Sequence, residues 1–142
     1  MANDLLEFYR LIRRFEGCEL RAYLCPAGVW TIGWGSTGPD VRPGDVWTQA
    51  QADARMQADA LRFAKGTLAL CPSLRGNDLC AIADFAYNLG LGRLKTSTLR
   101  RKINAGQMEA VAGELAKWTR GGGRVLPGLV RRRAAEAALF GT

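Results

Sequence analysis

The sequence contains no histidine, and this absence excludes several kinds of catalytic site. A Ser-His-Asp triad, a Cys-His pair and a histidine-ligated zinc site all need an imidazole ring. Any catalysis must therefore rely on carboxylates, cysteine, lysine, tyrosine or bound water. Long apolar runs are also missing, since none approaches the roughly 20 residues that a membrane-spanning helix requires. Residues 1–17 lack the apolar stretch of a signal peptide, so we expect neither a leader nor a membrane anchor.

Cysteine is scarce, and the four cysteines at positions 18, 25, 71 and 80 form no C-x-x-C pair. In an oxidising compartment, four cysteines can form two disulfides. Without a leader, the sequence instead predicts a cytosolic chain with mostly reduced thiols. We expect Cys18, Cys71 and Cys80 to be small buried hydrophobic residues, with a Cys71–Cys80 disulfide as the alternative.

The length and composition favour one globular domain over residues 1–142. Hydrophobic residues make up 48% of the chain and charged residues 23%, which indicates a folded chain rather than a disordered one. Lysine and arginine number 20 against 13 acidic residues, so the net charge is +7. A basic surface of this kind predicts an anionic partner: a nucleic acid, a membrane surface or an acidic cell-wall polymer.

Periodicity predicts an α+β architecture. Apolar residues at helical spacing over 4–15 indicate a first helix, capped by Asn3 or Asp4 and stopped by Gly17. Residues of about 18–47 form the predicted β subdomain, a hairpin or three-stranded sheet in which Cys25 to Gly28 is a turn. The remainder, about 48–142, is predicted to be a helical lobe that also includes the first helix.

Turn and cap residues divide this lobe into helices. Thr48 and Gln51 form a capping box at the start of a helix that ends near residue 70. A second helix opens at residue 77 or 78 and ends at the glycines at 90 and 92. Further helices are predicted from 97 or 98 to 104, over 107–119 and over 130–140.

The most informative stretch joins the end of the first helix to the hairpin, over residues 16–35. Its spacing E-x8-C-x5-T selects Glu16, Cys25 and Thr31. An acid at a helix end can be held in a poorly hydrated pocket while the hairpin presents a second reactive group opposite it. This arrangement suits a glycosidase cleft, in which the acid must carry a proton at the working pH. In the alternative, Glu16 is a helix-end carboxylate paired with a nearby arginine, Arg13, Arg14 or Arg21.

The segment EGCELRAYLCPAGVWTIGWG resembles the active-site motif of the T4-type phage lysozymes, glycoside hydrolase family 24. Two later segments, DFAYNLGLGRLKTSTLRRKINAG and WTRGGGRVLPGLVRRRAAEAALF, are similar to the helical lobe of phage endolysins in that family, so the resemblance covers residues 5–140. It implies a lysozyme-like fold and a catalytic set of Glu16, Cys25 and Thr31. The T4 protein has Asp at the middle position, so this chain falls with the subset of members that carry Cys there.

Cys25 and Thr31 each have a structural alternative. A thiol with a pKa of about 8.5 is mostly neutral at pH 7 and is a poor base unless a neighbour such as Arg21 lowers that pKa. Cys25 would otherwise be a small residue packed behind the turn, leaving Glu16 and a water held by Thr31 to carry the chemistry. Thr31 would otherwise be a β-branched residue favoured by strand propensity.

Substrate contacts are predicted further along the chain. The resemblance implies that Asn88, Ser97 and Thr98 lie near the substrate groove, and Gly122 belongs to a predicted mobile rim, 121–124, that contacts the glycan or its peptide stem. The four tryptophans either stack on sugars or lie in the core. The arginines at 131–133, with those at 120 and 124, form either a solvated face or a basic surface that holds the acidic wall or an anionic outer membrane.

The resemblance implies an endolysin muramidase, which hydrolyses the β-1,4 bond between N-acetylmuramic acid and N-acetylglucosamine in peptidoglycan. Glu16 protonates the leaving oxygen, and a water held by Thr31 and assisted by Cys25 completes the cleavage, by default with inversion and without metal or cofactor. We expect a monomer that does not bind nucleic acid and that waits in the host cytoplasm until a holin opens the membrane. The alternatives are a non-catalytic peptidoglycan-binding domain on the same fold and a basic nucleic-acid binder.

Overall fold

The computed structural model describes residues 3–142, which form seven α-helices and two small antiparallel sheets. The helices are α1 (Leu6–Glu16), α2 (Gln49–Leu70), α3 (Gly76–Leu89), α4 (Leu91–Thr96), α5 (Thr98–Asn104), α6 (Val111–Leu115) and α7 (Pro127–Leu139). Strand β1 (Glu19–Leu24) pairs with β2 (Trp30–Gly33), and the two-residue strands β3 (Arg120–Gly121) and β4 (Arg124–Val125) pair with each other. The predicted α+β architecture is confirmed. Within residues 3–142, no helix is both long enough and apolar enough to cross a membrane.

Helix α1 carries the acid of the motif at its last position. It begins at Leu6 rather than at residue 4, because Asn3–Leu5 form a 3-10 turn. Its N-cap position is Leu5 rather than the predicted Asn3 or Asp4. Gly17 ends the helix as predicted, with a positive φ of 67° that favours glycine. The chain therefore turns directly from Glu16 into the hairpin.

The predicted hairpin lies next to the end of α1. Tyr23 pairs with Thr31 and Leu24 with Trp30, and the N–H of Gly28 closes the turn by donating to the carbonyl of Cys25 (2.8 Å). An isolated bridge joins Arg21 to Val46 and contains two backbone hydrogen bonds, so among the described residues the third strand that we considered is reduced to a single bridge. The hairpin thus carries Cys25 at its turn and Thr31 on its second strand.

Helix α2 begins with the predicted capping box. Thr48 Oγ1 accepts a hydrogen bond from the N–H of Gln51 (3.1 Å), and the Gln51 side chain accepts one from the N–H of Thr48 (2.8 Å). The two bonds satisfy backbone donors that have no partner inside the helix. The local sequence was therefore sufficient to locate this helix start.

Three predicted boundaries in the helical lobe are wrong. Gly92 lies inside α4, because Gly90 already breaks the chain with a φ of +99°. The helix predicted over 107–119 is a 3-10 turn, Met108–Ala110, followed by the five-residue α6. Helix α7 begins at Pro127 instead of residue 130, since a proline without an N–H is well suited to the first turn of a helix.

The cysteines are distributed between core and surface. Cys71 and Cys80 are fully buried, each in one of the two hydrophobic clusters that hold the helices together. Cys18 is only partly buried, so its predicted core position is wrong; its sulfur lies 3.6 Å from Nε2 of Gln49. All four cysteines are free thiols, and the alternative Cys71–Cys80 disulfide is not formed.

Helix α3 is the centre of the helical lobe and determines where the candidate site lies. It packs against α1, α2, α4 and α7. Its middle is fully buried from Cys80 to Ala86. Helices α1 and α7 also contact each other. Three segments therefore meet in one region next to the hairpin: the C-terminal end of α1, the C-terminal end of α3 and the first half of α7.

Candidate active site

Glu16 is the last residue of α1, where the chain turns into the hairpin. Its side chain is 19% exposed. Gly35, which follows β2, approaches it so closely that a Cβ atom at position 35 would lie 2.5 Å from Oε1 of Glu16. Gly35 also has a φ of +84°, so both its backbone conformation and its surroundings require glycine. The hairpin backbone therefore forms one wall around the carboxylate.

The ion-pair partner of Glu16 is Arg132 of α7, and not Arg13, Arg14 or Arg21. Nη1 of Arg132 donates to Oε2 of Glu16 at 2.6 Å, while Nε and Nη2 donate to the two carboxylate oxygens of Asp84 at 2.9 and 2.8 Å. Burial opposes the charged form of Arg132, but the hydrogen bonds and charge of Asp84, and then of Glu16, outweigh it and raise the arginine pKa. Arg132 is thus held charged between the two acids.

A second buried pair lies beside the first. Nη2 of Arg133 donates to Oδ1 of Asn88 (2.8 Å) and to Oε2 of Glu136 (2.9 Å), and Arg133 and Glu136 are almost completely buried. Burial, together with the neighbouring Asp84 carboxylate, raises the pKa of Glu136 against the opposing charge of Arg133. Two of the three arginines at 131–133 are therefore structural, and the interpretation of the whole triplet as a solvated or wall-facing surface is wrong.

A cavity of about 580 Å³ opens beside Glu16. The residues that line it come from the end of α1, the end of α3 and the start of α7: Arg14, Phe15, Glu16, Asn88, Leu126, Gly128, Leu129, Arg131 and Arg132. Its wall combines aliphatic and aromatic surface with guanidinium groups and one carboxylate. Such a wall can hold a sugar ring by its apolar face while a carboxyl group acts on the bond beside it.

Cys25 and Thr31 lie together on the hairpin. Thr31 is buried, and its hydroxyl donates to the carbonyl of Val29 at 3.0 Å. A hydrogen bond with the backbone of Val29 has the largest effect on the pKa of the Cys25 thiol and lowers it. Burial opposes this change, while hydrogen bonds with the Ala27 backbone and the Thr31 hydroxyl lower the pKa further. The lowered pKa comes from hairpin hydrogen bonds rather than from Arg21, which was the expected cause.

Tyr23 connects the two halves of the candidate site. Burial raises the pKa of its hydroxyl, and the charges of Glu16 and then Cys25 raise it further. Both groups therefore act electrostatically on one phenol, which is opposite Thr31 in the hairpin ladder. Neither Cys25 nor Thr31 is among the residues that line the cavity beside Glu16, so the acid and the hairpin pair are two separate parts of the candidate site.

The other predicted contact residues are dispersed. Asn88 lines the cavity beside Glu16. Ser97 is buried and serves as the N-cap of α5, where its hydroxyl accepts from the N–H of Arg100 (3.0 Å) and donates to the carbonyl of Leu94 (2.8 Å). Thr98 borders a different, smaller cavity, and Gly122 is exposed in the turn between β3 and β4. Asn88 thus lies at the cavity beside Glu16, whereas the hydroxyl of Ser97 is used in hydrogen bonds within the protein.

Three of the tryptophans have protein partners. The indole N–H of Trp34 donates to Asp53 at 2.8 Å, and the carbonyl of Trp34 accepts from the hydroxyl of Tyr87 at 2.7 Å. Trp47 lies over Gly33, and the ring of Trp118 packs edge-on against Phe85 with centroids 5.4 Å apart. These contacts favour structural roles for the three rings.

Asp84 and Arg132 are the site residues that the sequence did not identify. The sequence does contain one indication of Asp84, because it is the single charged residue in the apolar segment LCAIADFAYNLG. Acids are almost never fully buried without a partner, so an acid there predicts a buried cation. The sequence does not indicate which arginine supplies that cation.

Comparisons with known proteins agree with this fold. The family model described as phage lysozyme matches residues 13–136. The chain is 40% identical over 136 residues to the endolysin of Acyrthosiphon pisum secondary endosymbiont phage 1, covering 92% of each chain. It is 41% identical over 133 residues to the endolysin of Bacillus phage PZA, covering 92% of this chain but only 52% of that relative, so it spans about half of the latter's length.

A solved structure shows the same architecture. The muramidase domain of SpmX from Asticaccaulis excentricus superposes with a TM-score of 0.86 at 33% identity, and 96% of each chain is covered. The resemblance that the motif E-x8-C-x5-T indicated is therefore confirmed at the level of family and fold. The chain belongs to the phage lysozyme family.

Proposed function

We propose that this protein is an endolysin muramidase that hydrolyses the β-1,4 bond between N-acetylmuramic acid and N-acetylglucosamine in peptidoglycan. The observation that carries the proposal is the position of Glu16, a single carboxylate held by Arg132 at the wall of a 580 Å³ cavity. Family membership supports a lysozyme-type glycoside hydrolase, and the endolysin relatives support a role in host lysis.

In this mechanism, Glu16 is the general acid. Arg132 holds Oε2, so Oε1, which lies against Gly35, is the oxygen that presents the proton. The proton passes to the glycosidic oxygen as the bond between that oxygen and the anomeric carbon breaks, leaving an oxocarbenium-like sugar. Because Arg132 is fixed by two bonds to Asp84, it positions Glu16 without moving during the reaction.

Thr31 and Cys25 supply the second half of the reaction. The Thr31 hydroxyl donates its hydrogen to the carbonyl of Val29, so its oxygen can accept a hydrogen bond from the attacking water and orient that water. The water oxygen bonds to the anomeric carbon, and its proton passes to the Cys25 thiolate. Inversion follows if water attacks directly, and retention follows if the thiolate attacks first, so the anomer of the product distinguishes the two routes.

The test is clearing of outer-membrane-permeabilised Gram-negative cells by the wild type beside Glu16→Gln, Cys25→Ala and Cys25→Asp. Wild type should clear the suspension and Glu16→Gln should not, while the matched control Glu109→Gln, at an exposed acid outside the cavity, retains activity. Loss of activity in Cys25→Ala with recovery in Cys25→Asp assigns the thiol the role of the Asp in its relatives. A wild type that binds peptidoglycan but never clears the cells would favour the non-catalytic glycan-binding domain.

Partners and location belong to the same proposal. We expect a monomer that stays in the host cytoplasm until a holin releases it to the wall. Contact with an anionic outer membrane would rest on Arg131 together with Arg120 and Arg124, the exposed members of the basic set. Light scattering tests the monomer, and binding to vesicles with and without anionic lipid tests the membrane contact.

A further inference from the structure

Two arginines on the wall of the catalytic cavity have no acidic partner among the residues that the structure describes. Arg14 is exposed near the end of α1, and its guanidinium lies 4.8 Å from the centroid of the Phe15 ring. Arg131 is exposed on α7, and its Nη2 would lie 3.9 Å from a Cβ atom at Gly128. Both side chains therefore border the cavity with their charges unneutralised.

The charges around the cavity do not balance. Glu16 is the single carboxylate in the lining, against three guanidinium groups. Arg132 bonds two carboxylates, Glu16 on one side and Asp84 on the other. With the buried Asp84 included, three guanidinium groups face two carboxylates, so this set of side chains carries a net charge of +1. The exposed positive charges are those of Arg14 and Arg131, and the first turn of α7 adds the positive end of a helix with no side-chain cap. The cavity therefore attracts an anionic group of a molecule bound next to Glu16.

We propose that Arg14 and Arg131 form a carboxylate-binding subsite that recognises the anionic part of the muramyl unit being cleaved. This inference rests on the proposed function, since it takes peptidoglycan as the molecule in the cavity. The anions of that polymer are carboxylates: those of the peptide stem, or the lactyl carboxylate where the stem has been removed. Arginine suits this role because its planar fork of donors matches the two oxygens of a carboxylate.

The subsite determines which substrates bind rather than how fast the bond breaks. The guanidinium carbons of Arg14 and Arg132 lie 4.8 and 5.7 Å from the centroid of the same Phe15 ring. Arg131 lines the cavity that Arg14 and Glu16 also line. A carboxylate bound by Arg14 and Arg131 would orient the muramyl sugar relative to Glu16. Uncharged glycans of the same length would lack this contact and would bind less tightly.

The experiment compares three forms of solubilised, uncross-linked Gram-negative glycan strands. The first is native, the second has its carboxylates converted to neutral amides with carbodiimide and ammonia, and the third has its stems removed by an amidase so that lactyl carboxylates remain. The variant is Arg14→Gln/Arg131→Gln. Its matched control, Lys65→Gln/Lys95→Gln, removes the same charge from exposed lysines that do not line the catalytic cavity.

On native strands, the arginine double variant should raise KM about tenfold with little change in kcat, as expected for two partly exposed charge-assisted contacts. On amidated strands, wild type and variant should have the same KM. On stripped strands, a persisting difference shows that the subsite also accepts the lactyl carboxylate, and a lost difference restricts its ligand to the carboxylates of the stem; both support the subsite.

An equal rise in KM in the lysine control, or an undiminished difference on amidated strands, would overturn the subsite. Failure of the proposed function has a separate signature. In that case wild type would cleave none of the three substrates, and Glu16→Gln would be indistinguishable from it.

Discussion

Arg132 bonds to Glu16 across 116 residues of sequence, with Nη1 of the arginine 2.6 Å from Oε2 of the acid. The same guanidinium holds both oxygens of Asp84, which is completely buried. A buried ion pair adds little net stability compared with an apolar core, but removing one partner leaves the other buried and uncompensated. The pair therefore couples the integrity of the helical lobe to the position of the proposed general acid.

Removal of the arginine should affect both stability and activity. Arg132→Ala should lower the free energy of unfolding by about 3–5 kcal/mol, because Asp84 remains buried without a cation. Arg132→Lys should recover part of this loss, since it restores charge without the two-pronged geometry. Urea unfolding measures the difference. The neighbouring exposed Arg131→Ala should leave unfolding nearly unchanged, and equal losses at positions 131 and 132 would contradict the structural role.

Gly35→Ala should abolish the arrangement around Glu16. An added Cβ would meet Oε1 of Glu16 at 2.5 Å and would also force a φ of +84° on alanine. Gly44→Ala is the matched control, because Gly44 has a similar φ of +86° but no atom within 4 Å of the added Cβ. Each substitution costs about 1–2 kcal/mol of backbone strain. Clearing assays should show a far larger loss for Gly35→Ala, and equal losses would place the effect in strain alone.

The Cys25 thiol should titrate below its ordinary range. Because hydrogen bonds from the hairpin lower its pKa, the thiolate forms at a lower pH than in a free cysteine. The rate of iodoacetamide alkylation at Cys25, resolved by mass spectrometry, should rise through a midpoint below the ordinary value of about 8.5. Thr31→Val, which removes the hydroxyl, should move that midpoint upward. An unchanged midpoint in this variant would show that Thr31 does not act on the thiol.

The capping box of α2 offers a test of stability that is independent of the site. Thr48→Ala removes the acceptor for the N–H of Gln51 and should cost about 1 kcal/mol of unfolding free energy. Thr48→Asp should restore most of it, because a carboxylate accepts the same bond and interacts favourably with the helix dipole. Chemical denaturation of the three proteins measures both effects. A Thr48→Asp protein no more stable than Thr48→Ala would contradict the capping role.

Local patterns predicted a large part of this protein. The capping box, the turn at Cys25 to Gly28 and the helix stop at Gly17 depend on residues within three or four positions of one another, and each formed as predicted. The boundary at Gly92 was wrong because one glycine at position 90 was already enough to end α3. Ser97 was selected as a substrate contact, although its hydroxyl is used in capping α5.

Spacing and turn chemistry act over short distances along the chain. The order of the residues was therefore enough to predict the family and the α+β architecture, which are confirmed, and to select Glu16, Cys25 and Thr31 as candidates. What surrounds these residues depends on how distant helices pack. Asp84 and Arg132 are 48 residues apart and meet because α3 packs against α7, and the same packing buries Arg133 while leaving Arg131 exposed at the cavity. Three consecutive arginines carry no local signal that distinguishes them, and the packing of α7 against α1, α3 and α6 does.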